Sequence, residues 1–382
     1  MNRAPRYLPT AAKRCAAALL LVFALPQCKR LAPAQSPPEA GALTLAPPEA
    51  GCYTGAYIDF GEHEDNVTLD RIEEFEKMVG KRQAIVASSS YWGEQSFPRF
   101  NVNIIWRHGA VPLLFWSPWD RPYEEDRGPD KYSLVSILEG KWDAYIDRWA
   151  DGAREFGRPL MVSFCNEMNG SWFPWSGCFY GGGTPAASGK GFQGPETFKA
   201  AYRHVVDRVR ARGAWNVIWV FHAMNYSMPQ DTWNMAAEYY PGAGYVDWLG
   251  LSVYGEQYAE ENWSPFPPLL EWPYDEICQL DPEKPVMLTE WGVGEFPSKG
   301  DKAGYIAEAF RTMAQAKRYP RLKAAVFWHE RWQNEDASYS NLRVNSTPES
   351  LAAYRGGVQE QFWLETPVLR PAGKAAPPPL TP

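Results

Sequence analysis

A basic surplus, cysteine pairs and phosphate-binding loops are all missing from this chain, and each absence removes a class of function. Its 38 Lys and Arg stand against 45 Asp and Glu, a formal net charge of −7, so nothing in the charge balance suits nucleic acid. Only 5 His and 6 Cys occur in 382 residues, without an HxxH or CxxC pair, which leaves no metal-ligand spacing. No GxGxxG follows the first strand-like segment, so neither a nucleotide nor another cofactor is expected. The apolar run from Ala16 to Leu25 is too short to span a bilayer. At 45% hydrophobic and 22% charged, the composition is that of a folded globular protein.

Aromatic residues are the surplus: 18 Trp, 20 Tyr and 18 Phe make up 15% of the chain, and flat apolar ligands, sugars above all, become the expected partners. Residues 1–34 read as an export signal. Arg3, Arg6, Lys13 and Arg14 precede the apolar run, and Ala32-Pro33-Ala34 offers a small-residue cleavage site. Cys28 provides an alternative, a lipid anchor that would make the protein an outer-surface lipoprotein rather than a secreted or periplasmic one. Residues 35–51 and 369–382, rich in Pro and Ala, read as linker and tail, leaving 52–368 as one folded domain acting as a monomer. Cys52, Cys165, Cys178 and Cys278 lie inside it; an oxidising compartment permits a disulfide among them, and Cys165, within an apolar run, reads as a buried free thiol.

Eight apolar runs of strand length recur: YTGAYIDF at 53, QAIVASSSYW at 83, VPLLFW at 111, PLMVSFCNE at 159, WNVIWVFH at 215, VDWLGLSVY at 246, PVMLTEW at 285 and AAVFWHE at 324. Helical stretches alternate with them, such as Trp142, Tyr145, Ile146 and Trp149, or Phe198, Ala201, Tyr202, Val205 and Val209, whose spacing of three and four gathers the apolar groups on one face. Runs with little polar alternation suit parallel strands buried on both faces. Eight such units predict a (β/α)₈ TIM barrel, with an open doubly wound sheet as the rival.

Active sites of this fold sit at the C-terminal ends of the strands. Here those ends carry Tyr91-Trp92, Trp116, Asn166-Glu167, His222, Tyr254, Glu290-Trp291 and Trp328-His329-Glu330. Two carboxyl groups on separate strands, Glu167 and Glu290, can face each other across the mouth. That is what hydrolysis of a glycosidic bond with retention needs: one group to protonate the leaving oxygen, another to attack the anomeric carbon. His222 and His329 read equally as sugar contacts or as hydrogen-bonded neighbours, and Glu256 as a sugar ligand or a solvated group. Glu330-Arg331 reads as a local ion pair, Asp59, Glu62 and Glu124–Asp126 as solvated rim, and Phe179–Pro195, with its GGG, as a mobile rim loop.

The segments FCNEMNGSWFPWSG (164–177), YYPGAGYVDWLGLSVYG (239–255) and PVMLTEWG (285–292) resemble the acid/base, sixth-strand and nucleophile segments of family 26 of the glycoside hydrolases, the β-mannanase-like family of a retaining (β/α)₈ clan. The likeness extends over about residues 52–365, with YTGAYIDFG and RHGAVPLLFW similar to the first and third strands. It implies an endo-acting hydrolase of a β-linked polysaccharide, with Glu167 as acid/base and Glu290 as nucleophile. It further implies Tyr254 as the tyrosine that hydrogen-bonds the nucleophile and keeps it ionised, Trp328 as the platform under the cleaved sugar, and Trp172 as a cleft wall with Trp175 nearby. Trp116, Tyr91, Trp92, His222 and Trp291, at the strand ends, are the remaining candidates for sugar contact. The pattern departs at one position. Most family members have His before the acid/base, whereas this chain has Asn166, the residue other families of the clan use to bind the sugar's 2-hydroxyl. That hydroxyl is axial in mannose and equatorial in glucose, so a β-glucan or a microbial exopolysaccharide competes with mannan, and a non-catalytic polysaccharide-binding barrel is the reading from another class.

Overall fold

A computed structural model describes residues 43–60, 66–121, 128–334 and 336–371. The proposed export signal, Cys28, Glu62 and the acidic run Glu124–Asp126 lie outside them. The eight predicted strands are present: β1 (Cys52–Ile58), β2 (Ile85–Tyr91), β3 (Val111–Ser117), β4 (Leu160–Phe164), β5 (Val217–Met224), β6 (Trp248–Tyr254), β7 (Val286–Gly292) and β8 (Leu322–His329). Each pairs in parallel with the next, and β8 pairs with β1 from Tyr53↔Ala324 to Ile58↔His329, so the sheet closes and the open-sheet alternative is excluded.

Helices α1 (Leu69–Val79), α2 (Arg99–His108), α3 (Asp143–Phe156), α4 (Gln193–Ala211), α5 (Ala236–Tyr239), α6 (Phe266–Leu280), α7 (Lys302–Met313) and α8 (Pro348–Val358) follow the strands in turn. Helix α1 starts where the Thr68 side chain accepts from Arg71 N and stops at Gly80 in the left-handed conformation, whose N–H caps Glu76 O. Period-two alternation along the strands builds two cores. Val111, Leu113 and Phe115 of β3 point into the barrel with Met161, Ile218 and Met287, while Leu114 and Trp116 point out among the helices with Trp149 and Ile146. Helices α3 and α4 are further joined by Arg208, which binds Asp143 and Asp147 at 2.7 Å each.

The folded body extends beyond the boundaries expected from composition. Leu43–Leu45, within the presumed linker, pairs antiparallel with Leu369–Pro371 of the presumed tail, and Leu45 is buried. A three-residue strand inside Pro- and Ala-rich sequence carries no periodic signal. The stretch read as a mobile loop is also ordered on itself. Residues 177–180 form a 3₁₀ turn, Gln193 N donates to Thr184 O at 2.8 Å, Gly194 N donates to Gly182 O at 3.1 Å, and Pro195 already lies in α4.

Candidate active site

Glu167 and Glu290 reach the barrel mouth by different local devices. After β4 the backbone turns through two left-handed residues, Cys165 and Glu167, both at φ 54°. Non-glycine residues adopt this region at a cost, and it persists here because the turn is over-determined: Glu167 N donates to His222 O (2.8 Å) and Gly170 N to Glu167 O (2.9 Å). Asn169 fixes the same turn to the end of β5, donating to Met224 O and accepting from Met224 N. Glu290 is aimed by a bulge. Leu251 pairs with Leu288 but Ser252 with Glu290, so Thr289 is an extra residue in β7, and from Met287 onward the inward-facing position passes to Glu290 while Trp291 turns outward.

The result is a close pair. A carboxylate oxygen of Glu167, one of Glu290 and a ring nitrogen of His222 all lie within 4.8 Å of one another, and all three side chains are buried. Glu290 Oε2 accepts from Tyr254 Oη (2.8 Å), and Glu167 Oε2 accepts from Trp172 Nε1 (2.8 Å). Ser252, bonded to His222, lies beside both carboxylates and favours the ionised form of each. Burial raises both carboxyl groups above the ordinary range, and the charge of Glu167 raises Glu290 further, against the lowering effect of Tyr254 and Ser252. Like charges this close do not both ionise readily, so ionisation of one carboxyl group favours the proton on the other. The expectation that Tyr254 alone keeps Glu290 ionised is therefore too simple: its bond opposes burial without offsetting it.

His222 stands beneath this pair, wholly buried. Its Nδ1 is 2.9 Å from Ser163 Oγ and its Nε2 is 2.7 Å from Ser252 Oγ, and burial lowers its pKa to about 3. With both ring nitrogens engaged by serines, it turns no lone pair towards an ion between the two carboxylates.

A sequence model of glycosyl hydrolase family 26 matches residues 131–299, the segment that carries Glu167, Tyr254 and Glu290. The chain belongs to glycosyl hydrolase family 26. It is 30% identical over 291 residues to Endoglucanase H of Acetivibrio thermocellus, covering 75% of this chain and 29% of that protein. It is 26% identical over 248 residues to a mannan endo-1,4-beta-mannosidase of Bacillus subtilis, covering 64% and 58%. The chain thus spans under a third of one of these relatives and somewhat over half of the other. Among solved structures, the catalytic domain of a Bacillus sp. JAMB-750 endo-beta-1,4-mannanase superposes with a TM-score of 0.59 at 21% identity, covering 82% of this chain and 87% of that one, a likeness of fold.

In this family 26 barrel Trp328 lies at the mouth, its ring stacked on Tyr57 (centroids 3.9 Å apart, planes 6° apart) and its Nε1 donating to Glu330 Oε2 at 2.7 Å. Trp172 is half-buried, and its ring lies over Gly170, where a Cβ would come within 2.6 Å of it. Asn166 is buried beside Glu167, and its backbone carbonyl accepts from Trp175 Nε1 at 2.6 Å.

Five of the proposed sugar contacts are not cleft residues. Trp116 faces the helices, stacked on Trp149 (4.0 Å, 16°) with its Nε1 donating to Tyr145. Trp92 is enclosed by Trp116, Tyr132, Tyr145 and Phe164, and Trp291 by Phe266, Phe310, Phe327 and Tyr354. Trp175 is buried under the loop against Phe173 and Trp119, and His222 is sealed inside the barrel. Tyr91 is half-buried at the end of β2 and packs against the helix-side core.

Other readings change too. His329 is buried, and its Nδ1 accepts from Val344 N. Glu256 is buried in an ion pair with Lys299 (2.7 Å), and Asp59 pairs with Arg343. Glu330 serves Trp328 while Arg331 lies over the Tyr339 ring, so these neighbours are not an ion pair; burial raises Glu330 to about 7. All four cysteines of the domain are free thiols, Cys165 fully buried. Ser252, Ser163 and Asn169 are the site residues that sequence reasoning missed.

Proposed function

We propose that this family 26 protein is a retaining endo-β-glycoside hydrolase of a β-1,4-linked polysaccharide of mannan type. The observation that carries the reading is the separation of the two carboxylates, with oxygens within 4.8 Å of each other in a buried, aromatic-walled mouth. Retaining enzymes hold their carboxyl groups about 5–5.5 Å apart, whereas inverting ones leave about 6.5–9.5 Å for a water. Glu290, ionised, attacks the anomeric carbon while protonated Glu167 gives its proton to the departing oxygen. Glu167 then takes a proton from the water that opens the glycosyl-enzyme ester, restoring both groups. Trp328, braced by Tyr57, offers its face to the ring of the cleaved sugar, and Tyr254 holds the Glu290 carboxylate in line. The bulge at Thr289 and the left-handed turn at Glu167 pre-set this geometry before substrate arrives.

A second reading, β-glucan as substrate, is favoured by Asn166 at the position next to the acid/base and by the similarity to an endoglucanase. Residues 1–34 support export of the protein, with acylation at Cys28 as the alternative anchor. Mass spectrometry of the mature N-terminus separates the two. The functional test is a reducing-end assay of the purified protein on galactomannan, glucomannan, mixed-linkage β-glucan, xylan and carboxymethyl-cellulose, beside Glu167→Ala and Glu290→Ala. Release from mannans, lost in both variants, is the expected result. Release from β-glucan alone establishes the second reading, and binding without release on any polymer overturns hydrolysis in favour of a binding barrel.

A further inference from the structure

We propose that Ser163, His222 and Ser252 form a fixed hydrogen-bond chain that keeps the single Ser252 hydroxyl proton aimed at the carboxylate pair, serving whichever of Glu167 and Glu290 is negative at each step. This rests on the two-carboxylate reaction proposed above. The three residues come from adjacent strands β4, β5 and β6, and each is fully buried, at 0% exposure. Groups so enclosed must find their hydrogen-bond partners in one another and in the side chains around them.

Counting protons selects one arrangement. A serine has one O–H, and a neutral imidazole has one N–H and one acceptor nitrogen. If Ser252 donated to His222 Nε2, only its lone pairs would face two buried carboxylates, at least one of them negative. If instead Ser163 donates to Nδ1, then Nε2–H donates to Ser252 Oγ over 2.7 Å and the Ser252 proton is released for the carboxylates. A buried anion favours the second arrangement strongly, because an anion left without its donor is costly. Ser163 therefore selects the tautomer, His222 anchors the Ser252 oxygen, and Ser252 delivers the proton.

One proton cannot serve two carboxylates at once, and the reaction never asks it to. In the proposed reaction Glu290 is the negative group at the moment of attack, and Ser252 supports it there alongside Tyr254. In the glycosyl-enzyme Glu290 is a neutral ester and Glu167, having lost its proton to the leaving oxygen, is the anion. Rotation about the Cβ–Oγ bond then turns the Ser252 proton to Glu167, with no bond broken in the chain and no proton passing along it. When water opens the ester, its proton goes to Glu167 and the hydroxyl turns back. The serines of the MVSF and LSVY segments, which no other role explains, are thereby accounted for. His222 and Ser252 are positioning residues, acting on the carboxylates and not on the sugar.

The test combines two measurements on the full chain. The first is ¹⁵N NMR of the histidine rings and ¹³C NMR titration of the glutamate carboxyls; the second is the pH–rate profile on the polymer the protein cleaves. The groups facing the pair from other elements, Tyr254, Glu330, Tyr226 and Trp172, are unchanged in every variant, so they form a constant background. Wild-type His222 is expected to carry its proton on Nε2 between about pH 5 and 8. In Ser252→Ala both carboxyl titrations, and both limbs of the rate profile, move to higher pH by about half a unit to one unit. Turnover falls about tenfold. His222→Gln, whose amide N–H can replace Nε2–H, retains wild-type limbs. An Nδ1–H tautomer overturns the proposal, as does a Ser252→Ala protein whose carboxyl titrations stay in place. If the wild type cleaves no polymer, the hydrolase reading fails, while the NMR titrations still decide the hydrogen-bond chain.

Discussion

Replacing Tyr254 by Phe removes one oxygen and one hydrogen bond, the 2.8 Å contact from Tyr254 Oη to Glu290 Oε2. The ring is buried in the barrel-interior core, so Phe keeps the packing and the fold. The bond favours the ionised form of Glu290, and a bond from a neutral donor to a charged acceptor is worth about 1.5–3 kcal/mol. At about 1.4 kcal/mol per pKa unit, its loss raises the Glu290 titration by about one to two units. Glu290 must be ionised to attack, so the acid limb of the pH–rate profile moves to higher pH by that amount. The alkaline limb, set by protonated Glu167, stays close to its wild-type place, because Trp172 still donates to it. At the wild-type optimum the same energy corresponds to a fall of about tenfold to hundredfold in kcat. The assay is reducing-end release across about pH 4 to 9, with thermal unfolding run beside it to confirm an unchanged fold. An acid limb that does not move in a stably folded Tyr254→Phe protein would refute the assignment of Glu290 as the group that must ionise.

Trp172→Phe deletes the Nε1–H that Glu167 Oε2 accepts and acts on the opposite limb: Glu167 stays protonated to higher pH, and the alkaline limb moves up by about one unit in the same titration. Trp116→Ala opens a cavity beside Trp149 and Tyr145 in the helix-side core and costs about 3–5 kcal/mol in urea unfolding, with KM of the folded protein unchanged; a raised KM at full stability would return Trp116 to the cleft. His222 and His329, both held neutral with pKa values lowered to about 3, give stability that is present above the unfolded pKa of 6.5 and is lost as pH falls towards 3. Each contributes a slope of up to about 1.4 kcal/mol per pH unit in that window. His329→Asn should flatten the fall of Tm with acid relative to wild type, and an unchanged slope would contradict the burial argument. Glu330, raised from 4.5 to about 7, has the opposite sign, its contribution being lost as pH rises through 7, which is why the comparison is between variant and wild type.

The eight strands and the two carboxylates were legible because both leave strong local marks: an apolar run with a strand length, and an acidic residue where a buried strand should have none. What was not legible is direction. Trp116, Trp92 and Trp291 sit at strand ends just as Trp328 does, but alternation points Trp116 at the helices, and the bulge at Thr289 turns Trp291 out as it turns Glu290 in. Strict alternation along VPLLFW, with Phe115 facing inward, could have placed Trp116 correctly. No sequence pattern announces an inserted residue in β7. Ser163 and Ser252 were missed for a different reason: a serine in an apolar strand is unremarkable until the histidine it serves is seen between the two. The pairing of Leu43–Leu45 with Leu369–Pro371 joins segments more than three hundred residues apart, and three residues are too few to show a period.

The central claim is retention by a close carboxylate pair, and ¹H NMR of the first-formed reducing ends on the polymer that the protein cleaves tests it most directly. Attack by Glu290 followed by water at the same face predicts that the new ends appear first as the β anomer, with α growing in only at the rate of mutarotation. Initial formation of the α anomer would mean a single displacement, and would contradict the assignment of Glu290 as a nucleophile lying within 4.8 Å of the acid/base Glu167.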